Sequence, residues 1–210
     1  MVRELHIHVE EPSMEAFLQE LLPRMLMPEI PVKIIDHQSK NQLLSELPKR
    51  LRGYAHYELQ YRPCSLILVD RDDDDCIQLK QVLENAATQA GLATKSAPSI
   101  SGLFDVANRI VIEELEAWYF GDVQALSAAF PGVPITLNSK AAFRSPDGII
   151  GGTHESLLRV LQKAGHYKGL GSLPKIETAR RIGRFVDPAT NTSTSFGHFR
   201  VALNALAEQF

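Results

Sequence analysis

Cysteine is nearly absent. Cys64 and Cys76 are the only two in 210 residues; they lack CxxC spacing and flank an apolar run, so no disulfide framework is expected and the thiols read as reduced, as in a cytosolic protein. No apolar run approaches the roughly 18 residues of a membrane span, and the opening MVRELHIHVEEP lacks a basic region followed by an apolar core of signal-peptide length. The expectation is a cytoplasmic chain with no membrane partner. Neither GxGxxG nor GxxxxGK[ST] occurs, which excludes a P-loop ATPase and a dinucleotide binder of the usual kind. Ser13, Asp36, His37 and His56 fall in no motif that assembles a nucleophile, base and orienter, so triad hydrolysis is not indicated. Basic excess is lacking as well. With 22 Lys+Arg against 25 Asp+Glu the net charge is −3, which argues against a broad cationic coat for nucleic acid while leaving room for a local basic groove.

What is present is a chain 44% hydrophobic, enough to bury a full core. Residues 3–10 alternate, with Leu5, Ile7 and Val9 on one side and His6, His8 and Glu10 on the other, which is a strand pattern. Ser13 can cap a helix carrying Met14, Phe17, Leu18, Leu21 and Leu22. Residues 32–36 read as a second strand, 41–51 as a helix, and 65–69 as a strand buried on both faces. A helix from Ile77 to Gly91, a short strand over 92–97 and a strand over 109–112 follow. A helix carrying Leu115, Trp118, Tyr119, Leu126 and Ala129 completes this part. Strands alternating with helices through crossovers too long for hairpins predict an α/β fold: a mostly parallel sheet with helices on both faces. Past Phe130 the pattern changes. Pro131, Pro134, Pro146, Gly148, Gly151 and Gly152 interrupt it, and 153–164, 175–186 and 196–208 look helical without strands between them. The expected organisation is a sheet-bearing core over 1–130 and a C-terminal helical extension over 131–210 packed on it as one compact unit.

Carboxylates stand where the apolar runs stop: Glu10 after LHIHV, Asp70 and Asp72 in SLILVDRDDDDC, Glu113 and Glu116 in RIVIEELEAWYFGD. In a parallel α/β fold such positions converge at the carboxyl edge of the sheet, where ligands bind. Three or four acids held together repel and take up protons unless a cation neutralises them, and oxygen-only ligation suits Mg²⁺ or Mn²⁺. Glu10, Asp70, Asp72 and Glu116 are the expected metal ligands, with Glu113 or Glu116 completing the site or orienting water. Metal-assisted phosphoryl transfer is the expected chemistry.

These motifs resemble the bacterial family catalogued as domain of unknown function 4276, which is related to the TOPRIM fold. The matching segments are HVEEPSMEAFL, ILVDRDDDDC, VIEELEAWYFGD and the late SFGHFRVAL, so the resemblance spans nearly the whole chain. It implies a TOPRIM-like, Rossmann-like core with a strand-end Glu (here Glu10) and a DxD pair (Asp70 and Asp72) for Mg²⁺. It also implies nuclease activity on nucleic acid and suggests a neighbouring ATPase of the ABC or SMC-related kind, in phage defence or DNA repair. TOPRIM proteins commonly place Gly after the Glu; this chain has Glu11.

Each residue also has a plainer role open to it. Glu10 can be a solvated acid at a helix entrance, and Asp74 and Asp75 suit a helix N-terminus better than a metal. Glu113 and Glu116 can be helix-terminus acids beside an Arg, Glu114 is expected to point into solvent, and Asp122 to cap the next helix. Trp118 fits the core, and His6 and His8 fit satisfied polar positions beneath a helix. Most basic residues fit solvated faces; Lys140, Arg144 and Arg180 are the candidates for a phosphate-binding rim. The class competing with an enzyme is a non-catalytic interaction module that binds a partner ATPase or nucleic acid, and assembly as a homodimer stays open.

Overall fold

A computed structural model describes residues 2–210. Alternation in LHIHV sends Leu5, Ile7 and Val9 of strand β1 (Leu5–Val9) into one core, while His6 and His8 face the other side toward Tyr54. Strands β2 (Val32–Asp36), β3 (Cys64–Asp70) and β4 (Val106–Val111) join it in the order β2-β1-β3-β4, every pairing parallel. The register aligns Val9 with Asp36 and Asp70 with Val111, so the strands end along one edge.

The crossovers are helices α1 (Pro12–Leu21), α2 (Lys40–Ala55) and α3 (Cys76–Gln89). Leu43, Leu47 and Leu51 of α2 and Leu79 and Leu83 of α3 bury their stripes against Ile67, Val69 and Val106 on one face. The opposite face carries α1 and five later helices: α4 (Glu116–Phe120), α5 (Val123–Ala129), α6 (Thr153–Lys163), α7 (Lys175–Gly183) and α8 (Thr194–Ala207). Phe17, Trp118, Leu157, Ile182, Phe196 and Phe199 share one core there with Leu5, Ile7, Leu66 and Leu68. Removing both faces of a parallel sheet from water is what its near-continuous apolar strands require. Among the described residues no helix is long and apolar enough to cross a membrane.

Two glycines allow approaches that position the site. A Cβ at Gly183 would sit 3.0 Å from the Phe17 carbonyl oxygen, so glycine lets α7 close on α1. At Gly121 a Cβ would meet the Asn191 side chain and the Ser193 nitrogen, the latter at 2.9 Å. That contact docks the segment leading into α8. It is held further by Trp118 Nε1, which donates to Ser195 Oγ at 2.9 Å, and by Asp147, whose Oδ1 accepts from the Ser193 and Ser195 hydroxyls at 2.8 and 2.6 Å.

The strand expected over 109–112 begins earlier, at Val106, and the structure differs from the sequence reading in three further places. Residues 92–97 form no strand; Thr94 makes isolated bridges to Ala97 and Val106, and Pro98 lacks the N–H that would extend pairing. The single helix expected to reach Ala129 is two, because Asp122 accepts the Ala125 N–H at 2.9 Å and starts α5 afresh. Glu113 precedes α4 and does not lie on it, so of the two acids only Glu116 stands at that helix's start.

Candidate functional site at the acidic sheet edge

Three chain turns deliver acids to the carboxyl edge. Glu10 and Glu11 follow β1, Asp70 ends β3, and Glu113, Glu114 and Glu116 follow β4. Because β3 lies between β1 and β4, Asp70 is central. Its backbone N–H donates to Glu10 Oε2 at 3.3 Å, tying the first two turns together. Two non-glycine residues here occupy the left-handed region, Asp72 at φ 48° and Glu113 at φ 60°, and the Asp72 N–H reaches the Glu113 carbonyl at 3.4 Å. Such conformations cost of order 1–3 kcal/mol each and persist where the surroundings over-determine them, commonly at functional sites.

Burial and mutual repulsion set the electrostatics. Burial, partly offset by Lys40, pushes the Glu10 carboxyl up to about 7, with Asp72 adding to the rise. Asp70 is raised well above the ordinary carboxylate range by burial first and then by Glu10, Glu116, Glu11 and Asp72. These carboxylates are close enough to oppose one another's ionisation. Glu116 is buried, with 3% of its surface exposed. Its Oε1 lies 3.5 Å from His154 Nδ1, a nitrogen that has no hydrogen-bond partner, and this carboxylate raises the histidine's pKa.

Basic side chains hold the outer acids. Lys40 Nζ bonds Asp72 at 2.5 Å and Asp74 at 2.9 Å; burial opposes its charge, but these acids outweigh it and raise the lysine. Lys175 Nζ lies 3.0 Å from Glu11 Oε2, and its pKa also rises despite burial, through Glu116 and Glu11. Arg71 pairs with Glu113.

Glu10, Asp70, Asp72 and Glu116 therefore meet at one edge, Asp72 on its exposed outer side. Asp75 caps α3 by accepting the Ile77 and Gln78 N–H groups. Glu114, expected in solvent, is half-buried and accepts from Thr153 Oγ1 at 2.9 Å and the His154 N–H at 3.2 Å. The reason is the uncapped N-terminus of α6, whose N-cap Gly152 has no side chain to offer.

Lys140, Arg144 and Arg180 do not pair with these acids. Lys140 lines a separate cavity, Arg144 donates to the Ser139 carbonyl, and Arg180 is exposed on α7. Lys40, Lys175, Arg71 and His154 are the basic groups that stand beside the acids instead. Nothing local marks them: each is an ordinary helix-start or turn residue until the fold brings it to the edge.

Among the described residues no three His, Cys, Asp or Glu side chains are gathered as a ready metal cage. The donor chemistry nonetheless fits a hard cation, since the converging groups are all carboxylates and two are raised by burial and by neighbouring acids. Glu10, Asp70 and Glu116 would be the inner donors, and Asp72 would exchange Lys40 for the cation.

A four-stranded parallel α/β fold with acids and lysines at its carboxyl edge thus defines the class. The family model described as Domain of unknown function (DUF4276) matches residues 9–206, and the chain belongs to that family. No curated protein and no solved structure matches it significantly.

Proposed function

We propose that the acidic edge is a TOPRIM-like site that uses Mg²⁺ or Mn²⁺ to hydrolyse phosphodiester bonds in nucleic acid. The observation carrying this reading is the arrival of Glu10, Asp70 and Glu116 at one edge, where burial first and neighbouring acids second raise Glu10 to about 7 and Asp70 well above the carboxylate range. A divalent cation relieves that repulsion, and when bound it would polarise the phosphate and lower the pKa of water. Lys40 and Lys175 flank the acids and would receive phosphate oxygens as the carboxylates turn inward. His154, whose Nδ1 lies 3.5 Å from Glu116 Oε1, would be the group that hands over a proton. A neighbouring ATPase of the ABC or SMC-related kind, and a role in phage defence or repair, accord with the family resemblance.

One observation favours a second reading. Asp72, Asp74, Glu11 and Glu113 are each already ion-paired. That suits a non-catalytic module that binds a partner ATPase or nucleic acid and whose acids are structural. Incubating labelled single- and double-stranded DNA and RNA with Mg²⁺, Mn²⁺ or EDTA separates the two. Metal-dependent cleavage by the parent that is lost in Asp70→Asn supports the enzyme; equal cleavage by both, or none, supports the module.

A further inference from the structure

A cavity of about 640 Å³ opens between residues 132–150 and α6, and none of the edge carboxylates lines it. Helix α6 presents Ser156, Arg159, Val160 and Lys163, spaced three and four residues apart and so on one helix face. The facing wall includes Leu137, Lys140, Phe143 and Ile149. Its size falls within the roughly 300–1,000 Å³ of small-molecule sites, and its lining is mainly apolar with few polar groups, as such sites require.

The charge of the lining is one-sided. Lys140, Arg159 and Lys163 are its only ionisable residues, no acid joins them, and none of the three takes part in an ion pair among the described residues. Arg159 is steered by Ser156, whose hydroxyl accepts from Nη2 at 2.9 Å and is itself on a residue only 4% exposed. Three uncompensated cations exceed what one carboxylate needs, whereas a phosphoryl group carries about two negative charges and several acceptor oxygens. A bare phosphate would leave the apolar wall unfilled. Phe143 stacks on Phe120 with ring centroids 5.2 Å apart and planes 16° from parallel, which fixes an aromatic ring in that wall.

We propose that this cavity binds a nucleoside phosphate, its phosphoryl group toward Lys140, Arg159 and Lys163 and its base against Phe143 and the aliphatic wall. The nucleotide is either free or the phosphorylated end of a strand. The proposal does not depend on the acidic edge.

Calorimetric titration of the full chain with AMP, adenosine and inorganic phosphate tests it, run in EDTA and repeated in Asp70→Asn so that the acidic edge cannot report. AMP should bind at least about tenfold more tightly than adenosine or phosphate, equally in both backgrounds, and Arg159→Gln and Lys163→Gln should each weaken it about tenfold. Both residues are exposed, so these variants should fold. Ala142→Trp, which fills the cavity from its lining, should abolish binding. Absence of AMP binding, or equal binding by the parent and an Arg159→Gln/Lys163→Gln double variant, overturns the assignment. Displacement of AMP by a 5′-phosphorylated oligonucleotide assigns the strand end; retention of AMP assigns the free nucleotide.

Discussion

The Glu10 carboxylate accepts the backbone N–H of Asp70 at 3.3 Å, joining turns that lie sixty positions apart in the chain. This bond holds one acid against the next, and it draws Glu10 into the packed edge where burial keeps its pKa near 7. The edge thereby gathers acids that oppose one another's ionisation before any ligand arrives.

Cation binding should raise stability. At Mg²⁺ about 100-fold above its Kd, linkage adds roughly 2.7 kcal/mol, which a melting curve resolves. Asp70→Asn keeps the side chain's size and removes its charge, so this variant should start more stable than the parent in EDTA and gain much less from Mg²⁺. An undiminished Mg²⁺ response in Asp70→Asn would place the cation elsewhere.

Asp147 is expected to matter as much as a core residue. It accepts the Ser193 and Ser195 hydroxyls and the Thr194 N–H, and Ser195 in turn receives Trp118 Nε1. Asp147→Ala removes a cap and strands buried hydroxyls, a loss of about 2–3 kcal/mol. Urea unfolding would show it, and Asp147→Asn should recover part of the loss. Unchanged midpoints would mean that the network contributes nothing.

Acid should loosen the α2 face of the sheet. His8 Nδ1 lies 3.1 Å from His37 Nε2, and His37 Nδ1 lies 3.1 Å from Glu46. Burial, His37, Arg50 and His6 hold His8 well below histidine's ordinary value, and burial lowers His37 despite Glu46. Both groups bind fewer protons folded than unfolded. Their neutral forms therefore leave stability intact above about 6.5, and stability falls as pH drops below that value. Urea midpoints at pH 7.5, 6.5 and 5.5 test this by the difference between the parent and His37→Gln, because Glu10 and Asp70, raised in the folded state, gain stability over the same window in both proteins. The parent should lose more on acidification than the variant, and an identical pH dependence of the two would contradict it.

Sequence patterns reveal the fold where the physics is local. The alternation of LHIHV and the apolar run SLILV are strand signals in themselves, and each is followed by its acid, so Glu10 and Asp70 could be placed on one edge without knowing strand order. The WYFGD segment was harder to read. Asp122 competes with helix continuation, and Gly121 serves a contact made by residues seventy positions later. The counter-charges were invisible for a related reason. Lys40 reaches Asp72 across the β1–β3 neighbourhood, and Lys175 reaches Glu11 only because α7 closes on α1 at Gly183. Long-range pairing of that kind leaves no periodic trace. Glu114 was misread because nothing near it in sequence shows that the bare N-terminus of α6 would arrive there.

The acids at positions 10, 70 and 116 and the lysine at 175 lie far apart along the chain and meet only in the fold. In the unfolded ensemble they scarcely repel, so the repulsion is a property of the folded state. A ligand that neutralises the edge therefore has nothing to bind in the unfolded chain, and its whole binding energy goes to holding the protein folded.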